Sequence, residues 1–179
     1  MKQKAALILF SFTNSYTNSS TTNNILDLLS RTFPFEWEIV DADFNSKDFY
    51  SHPRKQYHST KILEQALEKY SDNFEKILVL TDYDLFVPVL TFVFGEAQLK
   101  GKAAIVSTFR LHQEFYGLLY NEKLFFERLQ KEILHELGHT FGLIHCKDWF
   151  CVMHASANID EIDIKSDHFC YLCEKFIVD

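Results

Sequence analysis

A chain of 179 residues with 47% hydrophobic and 24% charged residues has the size and balance of one folded domain with a sizeable core, not of a disordered or fibrous chain. Five Gly and three Pro leave little room for flexible linkers, and 18 Phe predict an aromatic core. A formal charge of -7 with no Lys/Arg cluster speaks against the basic face that nucleic acid or an anionic membrane surface would require, so neither is an expected partner.

The N-terminal MKQKAALILFSF sets two lysines before an apolar run, superficially like a signal peptide. The run is short and no A-x-A-like cleavage site follows it, so a buried first strand from Ala5 to Phe12 is the better reading. No stretch reaches the length of a transmembrane helix, and the expected compartment is the cytoplasm, where thiols stay reduced. Polar residues from Thr13 to Asn24 predict a loop into a helix with Ile25, Leu28 and Leu29 on one face and Pro34 just past its end. A second strand is expected from Trp37 to Ala42. A second helix follows, capped by Ser59 or Thr60 and carrying Ile62, Leu63, Ala66, Leu67 and Tyr70. KILVLT, from Lys76, is the clearest strand. Strand and helix alternating in this way predict parallel pairing with right-handed crossovers.

After Pro88 the pattern changes. Two extended stretches, Leu90 to Ala97 and Ala103 to Phe109, flank a turn at Gly101 and predict a hairpin that adds an antiparallel edge. A long helix is expected over Glu122 to Thr140, with Phe125, Leu129, Ile133 and Leu137 spaced for burial, and a short last helix from His168 to Phe176. The fold class is therefore α/β (α+β): a mixed, mostly parallel twisted sheet with an antiparallel edge strand and a long helix. One domain spans 1–179, divided into a larger part, 1–141, and a small C-terminal part, 142–179.

The chemistry is concentrated in HELGHTFGLIH, His135 to His145. His135 and His139 lie four residues apart on the long helix, so their imidazoles leave the same face one turn apart, a separation that suits two ligands of one tetrahedral zinc. Glu136 projects beside them, where a carboxylate can take a proton from metal-bound water. Gly142 lets the chain leave the helix with positive φ, and the turn returns His145 as the third ligand. A chance match of all five positions is expected in well under roughly one chain in ten thousand at average residue usage. All four cysteines, Cys146, Cys151, Cys170 and Cys173, follow immediately. Two pairs with intervals of five and three positions fit a tetrahedral structural zinc, and a segment with so few apolar residues has need of a staple. The alternative is a redox pair at Cys170 and Cys173, which lacks the thioredoxin-like context.

The run His135-Glu136-x-x-His139-x-x-Gly142-x-x-His145-Cys146, then Cys151-x-Met153, then Cys170-x-x-Cys173, resembles the archaemetzincin family, as does the stretch FVFGEAQLKGKAAIVSTFRL ahead of the helix. The resemblance covers the last half of the chain with specific motifs. It implies a metzincin-like zincin fold, a catalytic zinc on His135, His139 and His145 with Glu136 as general base, and a second, structural zinc on the four cysteines. It also implies that Met153 packs beneath the metal site without binding it. Substrate would lie antiparallel to an edge strand within Leu90 to Gln98.

The expected function is a zinc metallopeptidase with two zinc ions per chain, acting as a monomer on a peptide or protein substrate. Two alternatives stay open: a zinc-stabilised peptide-binding or regulatory protein with little hydrolytic activity, and a zinc hydrolase of a non-peptide amide. His154 could reach the cleft, but a surface position is the better reading. His52, His58, His112 and His168 are expected at the surface or in hydrogen bonds, and Asp82 and Asp84 in a solvated turn.

Overall fold

A strand whose every central residue is apolar needs neighbours on both sides and both faces. In the computed structural model, which describes residues 3–12 and 19–178, β1 (Gln3–Phe10) has them. It pairs in parallel with β2 (Phe35–Asp41) on one side and β5 (Lys76–Thr81) on the other. β8 (Ala103–Ser107) adds to β5 in parallel, and β7 (Gly95–Ala97) closes the sheet antiparallel to β8. The order is β2-β1-β5-β8-β7, the expected parallel core with an antiparallel edge.

The two-residue period of the strands sorts the core onto two faces. Ala5, Leu7, Leu78, Leu80, Ala104 and Val106 face α1 (Ser19–Thr32) and α3 (Glu122–Thr140). Ala6, Ile8, Ile77, Val79, Ala103 and Ile105 face α2 (Ser59–Tyr70). Helix α3 therefore lies on the same face as α1, with Leu129, Ile133 and Leu137 wholly buried. Its first turn is set by Asn121, whose side chain accepts from the Leu124 N–H.

Several expectations are corrected. Helix α1 begins at Ser19 instead of after Asn24. Its first turns are polar and carry no periodic signal, and residues 13–18 of the expected loop lie outside the described residues. Ser59 is the first helical residue and not a cap; the N-cap of α2 is His58, with no side-chain cap bond. The hydroxyls of Ser59 and Thr60 are turned instead to the Glu96 carboxylate on β7. The first expected hairpin strand shrinks to Gly95–Ala97, because Val93 donates its N–H to Leu85 O and draws the preceding chain toward a second sheet. That sheet, β3 (Tyr50–Ser51), β4 (Gln56–His58) and β6 (Leu85–Phe86), has strands too short for periodicity to reveal. The turn at Asp82 and Asp84 is not solvated. Asp84 accepts a two-pronged ion pair from Arg110 at 2.6 and 2.8 Å, and Asp82 accepts from Thr108 Oγ1 at 2.6 Å.

Beyond α3 the chain forms α4 (Ile159–Ile164), which the sequence pattern did not reveal, and α5 (Tyr171–Val178). α4 is held to α3 by polar clasps. Arg128 forks onto Asp163 at 2.7 Å, and Lys131 Nζ donates to Ile162 O and Asp163 O at 3.0 Å. Among the described residues, no helix is long and apolar enough to cross a membrane.

Candidate active site

The helix presents His135 and His139 with their ring planes nearly perpendicular and their Nε2 atoms 3.2 Å apart. Each ring is fixed from behind. His135 Nδ1 donates to Val152 O at 2.8 Å and His139 Nδ1 to Leu143 O at 2.7 Å, so both Nε2 lone pairs point forward, the arrangement found behind metal-binding histidines. α3 ends at Phe141. Gly142, with φ at 94°, donates its N–H to His139 O at 2.9 Å, reversing the chain. His145 then returns with its ring 5.3 Å from His135 and 5.0 Å from His139. One ligand atom from each of the three lies within 4.8 Å of the others. A tetrahedral zinc with Zn–N of about 2.1 Å spaces its nitrogens about 3.4 Å apart, so this donor set fits the ion. Burial is the main cause holding all three imidazoles below the ordinary histidine range, furthest at His135, which keeps them neutral and able to ligate.

Glu136 is buried between the helix and the edge strand. Residue 95 must be glycine for it to fit, since a Cβ there would stand 2.6 Å from Glu136 Cγ. Burial, with the nearby carboxylates of Glu132 and Glu96, pushes the Glu136 carboxyl well above its ordinary range, while Lys165 pulls it the other way. Met153 is wholly buried and reaches α3 at Gly138, where a Cβ would come within 2.5 Å of the sulfur. A cavity of about 460 Å³ opens beside Glu136. Its walls come from Leu90–Gly95, from Ala155–Ala157 and from the helix, and two opposite charges, Glu132 and Lys165, line it.

The four cysteines also converge, with their sulfurs all within 4.8 Å of one another. Cys146 Sγ and Cys170 Sγ are 3.9 Å apart, and the Cys170 N–H points at Cys151 Sγ at 3.3 Å. A tetrahedral zinc with Zn–S of about 2.3 Å spaces its sulfurs about 3.8 Å apart, so this set also fits.

All the expected site residues are thus gathered into two adjacent groups joined at His145 and Cys146. His154 is not in the cleft group; its Nδ1 donates to Cys146 O at 3.0 Å and its ring lies 4.2 Å from that of Trp149. His58 and His112 are partly buried against Phe86 and Phe125. The sequence reading missed Lys165, Glu132 and Gly95. Glu132 had a signal, since it sits one turn before Glu136 on the same helix face. Lys165, in IDIKSD, had none.

The family model for peptidase family M54 matches residues 36–178. The archaemetzincin of Methanocaldococcus jannaschii is 42% identical over 130 residues, 73% of this chain and 70% of that protein. That of Pyrococcus horikoshii is 46% identical over 159 residues, 86% and 84% of the two chains. Among solved structures, the archaemetzincin of Methanopyrus kandleri superimposes with a TM-score of 0.85 at 34% identity, covering 98% of this chain and 93% of that one. A zinc-dependent peptidase from Methanocorpusculum labreanum gives 0.82 at 30% identity, covering 97% and 99%. Match, relatives and fold agree with the geometry of the site: the chain belongs to peptidase family M54, the archaemetzincins, and is a zinc-dependent metallopeptidase.

Proposed function

We propose that His135, His139 and His145 hold the catalytic zinc and that Glu136 is the general base and acid of peptide-bond hydrolysis. The observation that carries this is the pair of Nδ1–carbonyl bonds behind His135 and His139, which aim two Nε2 atoms at one point beside a buried carboxylate. Zinc bound there supplies Lewis acidity toward a carbonyl oxygen and a water molecule. Glu136 takes the proton of the attacking water and delivers it to the departing amine nitrogen. Its burial raises its proton affinity, which suits a group that must hold a proton between the two transfers. The substrate, a peptide or protein segment, lies along β7, whose other neighbour in the sheet is β8 alone. The four cysteines hold a second, structural zinc that staples the part from 142 to 179, giving two zinc ions per chain. The protein works as a monomer in the cytoplasm, where these thiols stay reduced.

Glu136→Ala is the test. Hydrolysis of a peptide library by fully zinc-loaded protein falls by about a hundredfold or more, while zinc content and thermal unfolding stay as in wild type. Full activity in the variant removes Glu136 from its role, and a wild type that is fully zinc-loaded yet cleaves no member of the library favours a binding protein.

A further inference from the structure

Lys165 and Glu132 are a fully desolvated ion pair: their side chains are 1% and 4% exposed and their charged atoms are 2.9 Å apart. Taking two charges out of water is costly, and a packed apolar pair would often serve the fold as well. The fold already has a clasp at this place in the fork of Arg128 on Asp163, one turn earlier on α3. What distinguishes Lys165 and Glu132 is that both line the cavity beside the catalytic carboxylate.

The cavity's place follows from the chemistry already proposed, on which this inference rests. Glu132 precedes Glu136 by one helical turn, so the pocket opens on the side of Glu136, where the departing amine collects its proton. The side chain that enters is that of the residue contributing the scissile nitrogen. Its stem would run between apolar walls, Phe92, Phe94 and Ala155 among them. Its end would meet the ion pair. The Lys165 ammonium has three N–H donors and makes one hydrogen bond, to Glu132 Oε1. The second carboxylate oxygen of Glu132 has no hydrogen-bond partner among the described residues. Donors and an acceptor therefore stand side by side.

We propose that the Lys165–Glu132 pair makes this pocket selective for a carboxamide side chain, glutamine or asparagine, on the leaving-group side of the cleaved bond. The amide oxygen accepts from Lys165 Nζ and the amide nitrogen donates to Glu132. A carboxylate side chain would place a further anion beside Glu132 and Glu136, and a lysine would place a second cation beside Lys165. A leucine would leave the remaining Lys165 N–H donors and the second Glu132 oxygen without partners, and sites built to hydrogen-bond a substrate group reject analogues lacking it.

The test uses small hydroxamates, whose chelating head occupies the zinc, carrying one side chain on the leaving-group side: that of Gln, Asn, Glu, Lys or Leu. Affinity is measured on the zinc-loaded wild type. The expected result is binding of the Gln or Asn member at least about tenfold tighter than the other three. Equal affinities across the set, no binding by any member, or tightest binding by the Leu member overturns the proposal. In the double variant Lys165→Met with Glu132→Leu, whose fold is checked by thermal unfolding, the preference passes to the Leu member. A folded double variant that keeps the carboxamide preference overturns the assignment to this pair, and if it does not fold the wild-type series decides alone. Carboxamide preference without any peptide cleavage would leave the pocket standing and remove the peptidase reading. Cleavage with leucine preferred would do the reverse.

Discussion

Residue 95 shows how one atom can decide the geometry of catalysis. The Glu136 side chain occupies the space a Cβ at that position would fill, with Ile105 O closing the other side at 2.7 Å. Gly95→Ala must therefore displace the carboxylate, the edge strand or both. A misplacement of about 1 Å can cost on the order of a hundredfold in rate, so the variant is expected to lose at least tenfold in kcat with its zinc retained. Steady-state kinetics together with metal analysis check this, and an unchanged kcat would show that the carboxylate has room to move. His135 and His139 were legible in the sequence because their spacing is the helix's own period, and Gly142 because a reversal needs positive φ. Gly95 and Lys165 were not legible as site residues, since their meaning arises only when the edge strand, α3 and the segment after Met153 approach one another in space, whereas Glu132 carried a helix-spacing signal that the sequence reading passed over.

At the scale of elements, α3 lies where the sequence pattern placed a long helix, roughly Glu122 to Thr140. It is long, and its Phe125, Leu129, Ile133 and Leu137 repeat at the spacing of one buried face, which is a local signal; the Asn121 cap emerges from the structure. The second sheet and α4 escaped because strands of two or three residues and a helix of six form through partners distant in sequence. The cysteine group lies between these cases: its residue types announced a metal, but only the fold shows Cys146 and Cys151 meeting Cys170 and Cys173 at the start of α5. Burial pushes the Cys151 and Cys173 thiols up, a cost that an ion binding the thiolates would offset. Cys170→Ser is expected to lower zinc content by one equivalent and to destabilise the last two helices, while the histidine-bound zinc remains. Elemental analysis with hydrogen exchange over residues 143–178 checks it, and unchanged stoichiometry would refute a four-cysteine site.

Taken whole, the molecule shares one apolar core on the α1 and α3 face, but its C-terminal segment depends in addition on polar ties and on the residues that could hold metal. The sheet and its three helices rest on continuous apolar packing, with β1, β5 and β8 buried from end to end but for a few residues. The segment after Gly142 adds Leu143, Val152, Met153, Ile159, Ile162 and Ile177 to the core on the α1 and α3 face, and it is tied there by the clasps of Arg128, Lys131 and Lys165 and by the rings of His135 and His139 hydrogen-bonded to Val152 O and Leu143 O. It supplies the third histidine, all four cysteines and one wall of the cleft. Binding free energy at such sites is folding free energy for the segment that carries them. Stability should then be uneven, with local opening well below the global value in this segment. Stripping bound metal with a chelator is expected to remove amide protection from residues 143–178 first, at a temperature where β1, β5 and β8 keep theirs, and zinc should restore it. Acidification should act in the same direction, because histidine and cysteine bind metal only in their deprotonated forms and protons compete as pH falls. Hydrogen exchange followed segment by segment decides the matter. Loss of protection that is uniform across sheet and C-terminal segment would mean one cooperative unit, and unchanged protection would mean that the polar clasps hold the cleft wall without the ions.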